Sequence, residues 1–220
     1  MHPIVYWKFM ARSIALVLKN NWKQTWSSSI QRAQIIVGSI LLVAIFLMLP
    51  GFFNLIQKRD GFVINDWVLA NIPAHNVSWA IFSVIWGWGL YAFWKGIEKP
   101  TIYISYLWTL IFVTMLRVLT ISLISLDPPR GLIVLTDPLT GVFYGESNIT
   151  KDLFFSGHTS ILFLTVLCLE KKTDKLMGAA ATLIVACLLL VQHVHYTIDV
   201  IAAPIIVYPV HRLVKYMLNH

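Results

Sequence analysis

Two histidines, a tyrosine and an aspartate interrupt an otherwise apolar stretch near the end of the chain, VQHVHYTIDV at residues 191–200. His195 and Asp199 stand at i and i+4, so they share one face if the segment is helical there. A carboxylate on one imidazole nitrogen fixes the tautomer and aims the other nitrogen outward as a nucleophile or base. A structural hydrogen bond across a helix turn is the competing interpretation. The pair is therefore a candidate for catalysis that needs a partner.

A second histidine follows Ser156 and Gly157 in FFSGHTS, close to the start of another apolar run. The free amide groups and positive dipole end of a helix start favour phosphate, and a glycine lets a ligand approach the backbone closely. His158 would serve there as a general acid and base. Alternatively, Ser156 only caps the helix and His158 packs against a neighbour.

The elements that must position these residues are membrane helices. Hydrophobic residues make up 58% of the 220 residues, charged residues only 12%, and the mean hydropathy is +0.73. The apolar stretches are continuous rather than alternating, which favours helices over a strand barrel. We predict an all-α integral membrane protein with a bundle of six transmembrane helices. The predicted spans are 33–53, 76–94, 101–124, 153–169, 177–193 and 197–217.

The distribution of lysine and arginine predicts the orientation of this bundle. With the N-terminus inside, twelve of these residues fall on the inner side and four in the outer loops, while Arg117 lies within the third span. Cytoplasmic loops carry the excess of positive charge, so both termini are expected in the cytoplasm. The net charge of +7 then reflects topology and anionic lipid, without nucleic acid as a partner.

The same topology brings three polar clusters to the outer face: the end of the third span, the start of the fourth, and the junction before the sixth. Polar groups that converge at one membrane depth are what a site requires. The bases and aromatic residues of 1–32 suit an interfacial helix on the cytoplasmic side, with a flexible basic tail as the alternative. No linker divides 33–220, which we predict to be one catalytic domain.

SGHT followed by HxHYTIDV resembles the sphingomyelin synthase group of the type 2 phosphatidic acid phosphatase (PAP2) superfamily. Asp152 and Phe155 extend the first block, and Arg117, Thr120 and the LDPP of 126–129 are similar to that group's arginine-led segment. The wider phosphatase pattern is incomplete. Its KxxxxxxRP motif is missing, and Leu189 stands where that pattern has an arginine.

This resemblance implies a PAP2-like lipid phosphotransferase that needs no metal and no cofactor. His195 would attack the phosphorus of a phospholipid donor, Asp199 would orient it, and His158 would protonate the departing diacylglycerol oxygen. A lipid hydroxyl acceptor such as ceramide would then collect the headgroup from a phosphohistidine intermediate. The headgroup stays open between choline, ethanolamine and inositol.

Five further residues are expected to bind substrate. Because charge spreads over phosphoryl oxygens during transfer, a positioned cation should stabilise it, and we expect Arg117 to be that cation. A structural ion pair is the alternative role for Arg117. The substrate-binding set is Arg117, Ser156, Gly157, Tyr196 and His193. For His193, a supporting position behind the site or at the lipid interface is also compatible with the sequence.

Two other functions compete with the transferase, and a metal site is an alternative use of the same residues. A lipid phosphate phosphatase or phospholipase C-like hydrolase would use the same histidines with water as the acceptor. A transporter with a His/Asp face would need polar residues throughout the membrane depth, and a metal site would draw on His193, His195 and Asp199. The expected site faces the extracytoplasmic leaflet, which is the periplasmic side in a bacterium and the Golgi lumen or cell exterior in a eukaryote.

Overall fold

The computed structural model describes residues 18, 20–136 and 149–219, and most of these residues are helical. Residues 20–27 are helical and precede the helices numbered here. The numbered helices are α1 (Ser29–Gln57), α2 (Trp67–Ala70), α3 (Ser78–Glu98), α4 (Pro100–Leu123), α5 (Gly157–Cys168), α6 (Lys172–Val191) and α7 (Thr197–Asn219).

Each of the six predicted apolar stretches coincides with a helix, but four of these helices meet the length and hydropathy expected of a membrane span. They are α1, α4, α6 and α7, found among the residues that the structure describes. In α3, tryptophan, glycine and serine dilute the apolar content of its 21 residues. The all-helical membrane architecture is thus supported, whereas the count of six spans is not confirmed.

Helix α5 is short because it lies inside the bundle. Its 12 residues extend about 18 Å, against the roughly 30 Å of the hydrocarbon core. It packs against α3, α4, α6 and α7. Eight of its residues are buried, and Leu162 and Leu164 are almost wholly inaccessible to solvent. The helix that carries His158 is therefore held rigidly by its neighbours.

The basic N-terminal segment lies largely outside the described residues, so its interfacial placement stays a prediction. Its described end contacts the junction between α3 and α4. The Trp22 indole donates to the carbonyl of Ile97 at 2.7 Å, and its ring lies 5.9 Å from that of Tyr103. These contacts hold residues 20–27 at the end of the bundle opposite to His195.

Two connecting segments pair at the end of the bundle that carries the histidines. The Phe62 amide donates to Ser125, and the Asp127 amide donates to Phe62, each at 3.0 Å. Gly61 makes this approach possible, because a Cβ there would lie 2.5 Å from the carbonyl carbon of Leu126. Segments 61–66 and 124–128 are therefore hydrogen-bonded to each other, next to the turn that precedes α7.

Candidate active site

His195 and Asp199 form the hydrogen-bonded pair that their spacing predicts. The Nδ1 atom of His195 lies 3.3 Å from Oδ2 of Asp199, and both side chains are buried. With Nδ1 donating to the carboxylate, Nε2 carries the lone pair that a nucleophile needs. A nucleophilic histidine oriented by a carboxylate requires this arrangement.

Helical backbone at His195, the condition for the shared face, is not what brings the two side chains together. Helix α7 begins at Thr197, two residues later. The Tyr196 carbonyl accepts from the Asp199 amide, and the Tyr196 amide donates to Oδ2 of Asp199 at 3.1 Å. An acidic side chain that reaches back to the residue before a helix is half of a capping box. Asp199 thus caps its own helix and holds His195 with the same oxygen.

His158 enters the site from the first turn of α5. Its ring centroid lies 6.3 Å from that of His195, with 62° between the planes, and 6.3 Å from the Phe82 ring. Ser156 caps the helix by accepting from the Thr159 amide at 3.4 Å. Its own amide donates to the Asp199 carbonyl at 3.0 Å, which joins the starts of α5 and α7.

Arg117, from α4, brings a cation to the start of α5. Its Nε donates to the Phe155 carbonyl at 2.9 Å, and one terminal nitrogen donates to Asp152 at 2.5 Å. The ion pair is mostly enclosed, with 14% of the arginine and 25% of the aspartate side chain exposed. Burial alone would raise the pKa of Asp152, but the guanidinium charge and hydrogen bond outweigh it and hold that pKa below its ordinary value.

Gly157 lies directly against this guanidinium. A Cβ at position 157 would stand 2.7 Å from Nη1 and 2.8 Å from Cζ of Arg117, closer than real Cβ contacts. Thr120 steadies the same region by donating to the Phe154 carbonyl at 2.9 Å. The arrangement places a positive charge beside the amide groups that open α5, which is a favourable environment for a phosphate.

Tyr196 and His193, both predicted to bind substrate, are buried and hydrogen-bonded to the surrounding loops. The Tyr196 hydroxyl donates to the Asp127 carbonyl at 2.9 Å and accepts from the Ile64 amide at 3.1 Å. The two ring nitrogens of His193 each lie 2.9 Å from a carbonyl oxygen, those of Arg130 and Ile72. Contact of either residue with substrate stays a prediction.

Sequence reasoning missed two acidic residues that support the site. Asp152 was placed only as part of a motif, and its pairing with Arg117 depends on contacts 35 residues apart. Asp66 had no role assigned, yet its carboxylate accepts from both the amide and the hydroxyl of Thr197, at 2.6 and 3.0 Å. An aspartate before the apolar WVLA run signals a helix cap, but nothing local signals a bond to residue 197.

The metal alternative draws no support from the side-chain arrangement. In the part of the chain that the structure describes, no three His, Cys, Asp or Glu side chains gather as they would around a metal ion. His193 points to two carbonyls, away from a shared coordination centre with Asp199. That the chemistry needs no metal remains what the resemblance implies.

Comparison with known proteins bears on the same part of the chain. No curated protein matches the sequence significantly. A family model described as PAP2 superfamily C-terminal matches residues 151–217, a segment that contains His158, His195 and Asp199 but not Arg117. The match supports a PAP2-type enzyme whose chemistry is that of lipid phosphatases and phosphotransferases, built into a membrane-embedded helical bundle.

Proposed function

We propose that the protein is a lipid phosphotransferase of the sphingomyelin synthase type, which moves a phosphoryl headgroup from a glycerophospholipid to a lipid hydroxyl such as that of ceramide. The observation that carries the proposal is the buried His195–Asp199 pair facing His158 across 6.3 Å between ring centroids. The two rings therefore border the same space. A phosphoryl group between the rings would thus be within reach of both.

In the first step, Nε2 of His195 attacks the phosphorus and the bond from phosphorus to the diacylglycerol oxygen breaks. His158 gives its proton to that oxygen, so diacylglycerol leaves neutral. Asp199 stabilises the positive charge that develops on His195 through Nδ1. The product is a phosphohistidine that carries the headgroup.

In the second step, His158 takes the proton of the acceptor hydroxyl while the hydroxyl oxygen attacks the phosphorus. The nitrogen–phosphorus bond breaks, and His195 returns to its neutral state. In both steps the negative charge spreads over the phosphoryl oxygens. Arg117 and the backbone amides at the start of α5 interact with these oxygens and stabilise that charge.

The burial of the pair favours a transferase over a hydrolase. His195 is 3% exposed and Asp199 is fully buried, so bulk water has little access to the nucleophile. Transfer to a lipid hydroxyl requires that water be kept from the intermediate. The hydrolase nevertheless uses the same residues, and only product analysis separates the two activities.

The first experiment compares wild type, His195→Ala and the matched control His75→Ala, which changes an exposed histidine of the loop between α2 and α3. Each purified protein is incubated in mixed micelles with phosphatidylcholine, phosphatidylethanolamine or phosphatidylinositol, ³²P-labelled in the headgroup, with and without ceramide. Lipid products are separated from water-soluble products by chromatography. A sample quenched early is tested for acid-labile label on the protein.

We expect label in a new lipid only when ceramide is present, in wild type and His75→Ala but not in His195→Ala. Label released as a water-soluble phosphoryl headgroup, dependent on His195 and indifferent to ceramide, would identify a hydrolase. Turnover that survives His195→Ala would overturn the assignment of the nucleophile.

The predicted sidedness is proposed along with this function. The starts of α5 and α7 and the end of α4 lie at one end of the bundle, so the site opens at one membrane face. The balance of Lys and Arg favours the extracytoplasmic face for it, with both termini in the cytoplasm. Labelling of a single cysteine introduced at exposed Asp60, in sealed vesicles with an impermeant maleimide, tests this orientation.

A further inference from the structure

Asp66 makes more hydrogen bonds than its position in a surface connection requires. One carboxylate oxygen accepts from the amides of Val68 and Leu69, at 3.0 and 3.3 Å, and caps the short helix α2. The same side chain reaches Thr197, which lies 131 residues further along the chain. A single carboxylate therefore caps two helices, one local and one distant.

The bond to Thr197 falls on the turn that carries the candidate nucleophile. Thr197 opens α7, so its amide is one of the donors that have no partner within the helix. Asp66 accepts this amide at 2.6 Å and the Thr197 hydroxyl at 3.0 Å. His195 stands two residues before, so the position of its ring depends on the backbone that Asp66 holds.

Two carboxylates consequently clamp three successive residues. Asp199 holds the His195 ring and the Tyr196 amide from within α7. Asp66 holds Thr197 from the connection before α2, outside the helix. A turn fixed by Asp199 alone would be free to rotate with the fraying first turn of α7, because the Thr197 amide would then lack a protein acceptor among the described residues.

Asp66 accepts these hydrogen bonds as an ionised carboxylate. Burial is the largest single influence and raises its pKa, but the hydrogen bonds from Thr197, Leu69 and Val68 together outweigh it and lower the pKa below the ordinary value for aspartate. An ionised carboxylate at a helix start interacts favourably with the helix dipole. Its bonds to amides are stronger than those of a neutral amide side chain.

We infer that Asp66 is a positioning residue for the reaction: by holding the amide and hydroxyl of Thr197 it fixes the turn from which His195 reaches the phosphorus. The expected fall in kcat rests on the proposed function, whereas the contact between Asp66 and Thr197 does not depend on the substrate. Asp66 does not touch the reacting atoms. Its loss should lower kcat and leave lipid binding largely intact.

The test compares Asp66→Asn, Thr197→Val and Thr197→Ser with the control Asp60→Asn, an exposed aspartate of the same connection. Supporting groups one step behind a reactive residue change activity by roughly 10- to 100-fold. We expect kcat to fall by that factor in Asp66→Asn, with KM for the donor within about threefold of wild type. Thr197→Val should fall less, while Thr197→Ser and Asp60→Asn should match wild type.

Two results would overturn the inference. The first is a kcat within twofold of wild type in Asp66→Asn. The second combines two observations. The fall in activity of Asp66→Asn matches its loss of folded protein, measured by thermal unfolding, and Thr197→Val, with a wild-type Tm, has a wild-type kcat. In that case Asp66 would be a purely structural cap.

A measurement without turnover separates this inference from the proposed function. Nitrogen-15 NMR of protein labelled at histidine in detergent micelles reports the tautomer of His195, assigned by its loss in His195→Gln. We expect the Nδ1-protonated form in wild type and an averaged signal in Asp66→Asn. An unchanged His195 signal in Asp66→Asn would count against positioning, even if wild type proved to have no transferase activity.

Discussion

Replacing Gly157 by alanine should disable the site while leaving the fold intact. The new Cβ would stand 2.8 Å from Cζ of Arg117, whereas carbon atoms pack at about 3.5 Å or more, so the guanidinium must move by about 0.7 Å. Its bonds to Phe155 and Asp152 are short and directional, so they would lengthen or break. A misplacement of about 1 Å near the reacting group costs up to about 10²-fold in rate.

The expected cost of Gly157→Ala in the free energy of unfolding is modest. The loss of one charge-assisted hydrogen bond is worth about 1.5–3 kcal/mol, and the better helix propensity of alanine returns up to about 1 kcal/mol. Gly87→Ala is the matched control, because a Cβ at position 87 meets nothing within 4 Å. We therefore expect kcat/KM to fall by about 10²-fold in Gly157→Ala, with a Tm within several degrees of wild type, and neither to change in Gly87→Ala.

A double-mutant cycle tests the route of this effect. If the alanine acts by displacing the guanidinium, Gly157→Ala should lower kcat/KM only slightly further in an Arg117→Ala background, where no guanidinium remains to be displaced. Transferase activity in mixed micelles is measured for both single variants and for the double variant. Equal losses from Gly157→Ala with and without Arg117 would refute the reasoning and point to a direct clash with substrate.

Three further outcomes are expected. Asp199→Asn should lower kcat by about 10²- to 10⁴-fold with little change in KM, because the neutral amide lacks the charge that orients and stabilises His195, and an unchanged kcat would exclude the oriented-histidine mechanism. The difference in Tm between wild type and Asp66→Asn should be constant from pH 5 to 8 and shrink below about pH 4, since a lowered pKa gives stability that is lost only as pH falls through it. Gly178→Ala should destabilise by about 1–3 kcal/mol in thermal unfolding, because its Cβ would lie 2.5 Å from the Trp88 ring, and a wild-type Tm would show that the α3–α6 contact can relax.

The helices could be predicted from the sequence because long apolar runs leave few alternatives in a membrane protein. Each of the six stretches became a helix, with boundaries shifted by a few residues. The sequence predicts residues 153–156 inside the fourth span, yet they form a bent, non-helical segment before α5. Hydropathy cannot separate the two, because Leu153 and Phe155 are apolar and buried in either case.

The chemistry of the site could be predicted where it depended on neighbours along the chain. The i, i+4 spacing of His195 and Asp199 was sufficient, since both lie within one turn. The role of Asp66 could not be predicted, because its bond to Thr197 spans 131 residues and depends on how a loop folds over the bundle. The same holds for the carbonyl contacts of His193, which a sequence pattern cannot distinguish from a role in substrate binding.

If Arg117 acts on the phosphoryl oxygens as proposed, its ion pair with Asp152 would limit how tightly it binds an anion. Asp152 remains ionised because the guanidinium keeps its pKa low, so the pair is neutral as a whole and partly enclosed. A phosphate that approaches the start of α5 must share Arg117 with this carboxylate, which weakens its binding in the ground state. Under the proposed mechanism, the charge that grows on the phosphoryl oxygens during transfer would strengthen the interaction of Arg117 with the phosphate. Stabilisation that is stronger in the transition state than in the ground state is what accelerates the reaction.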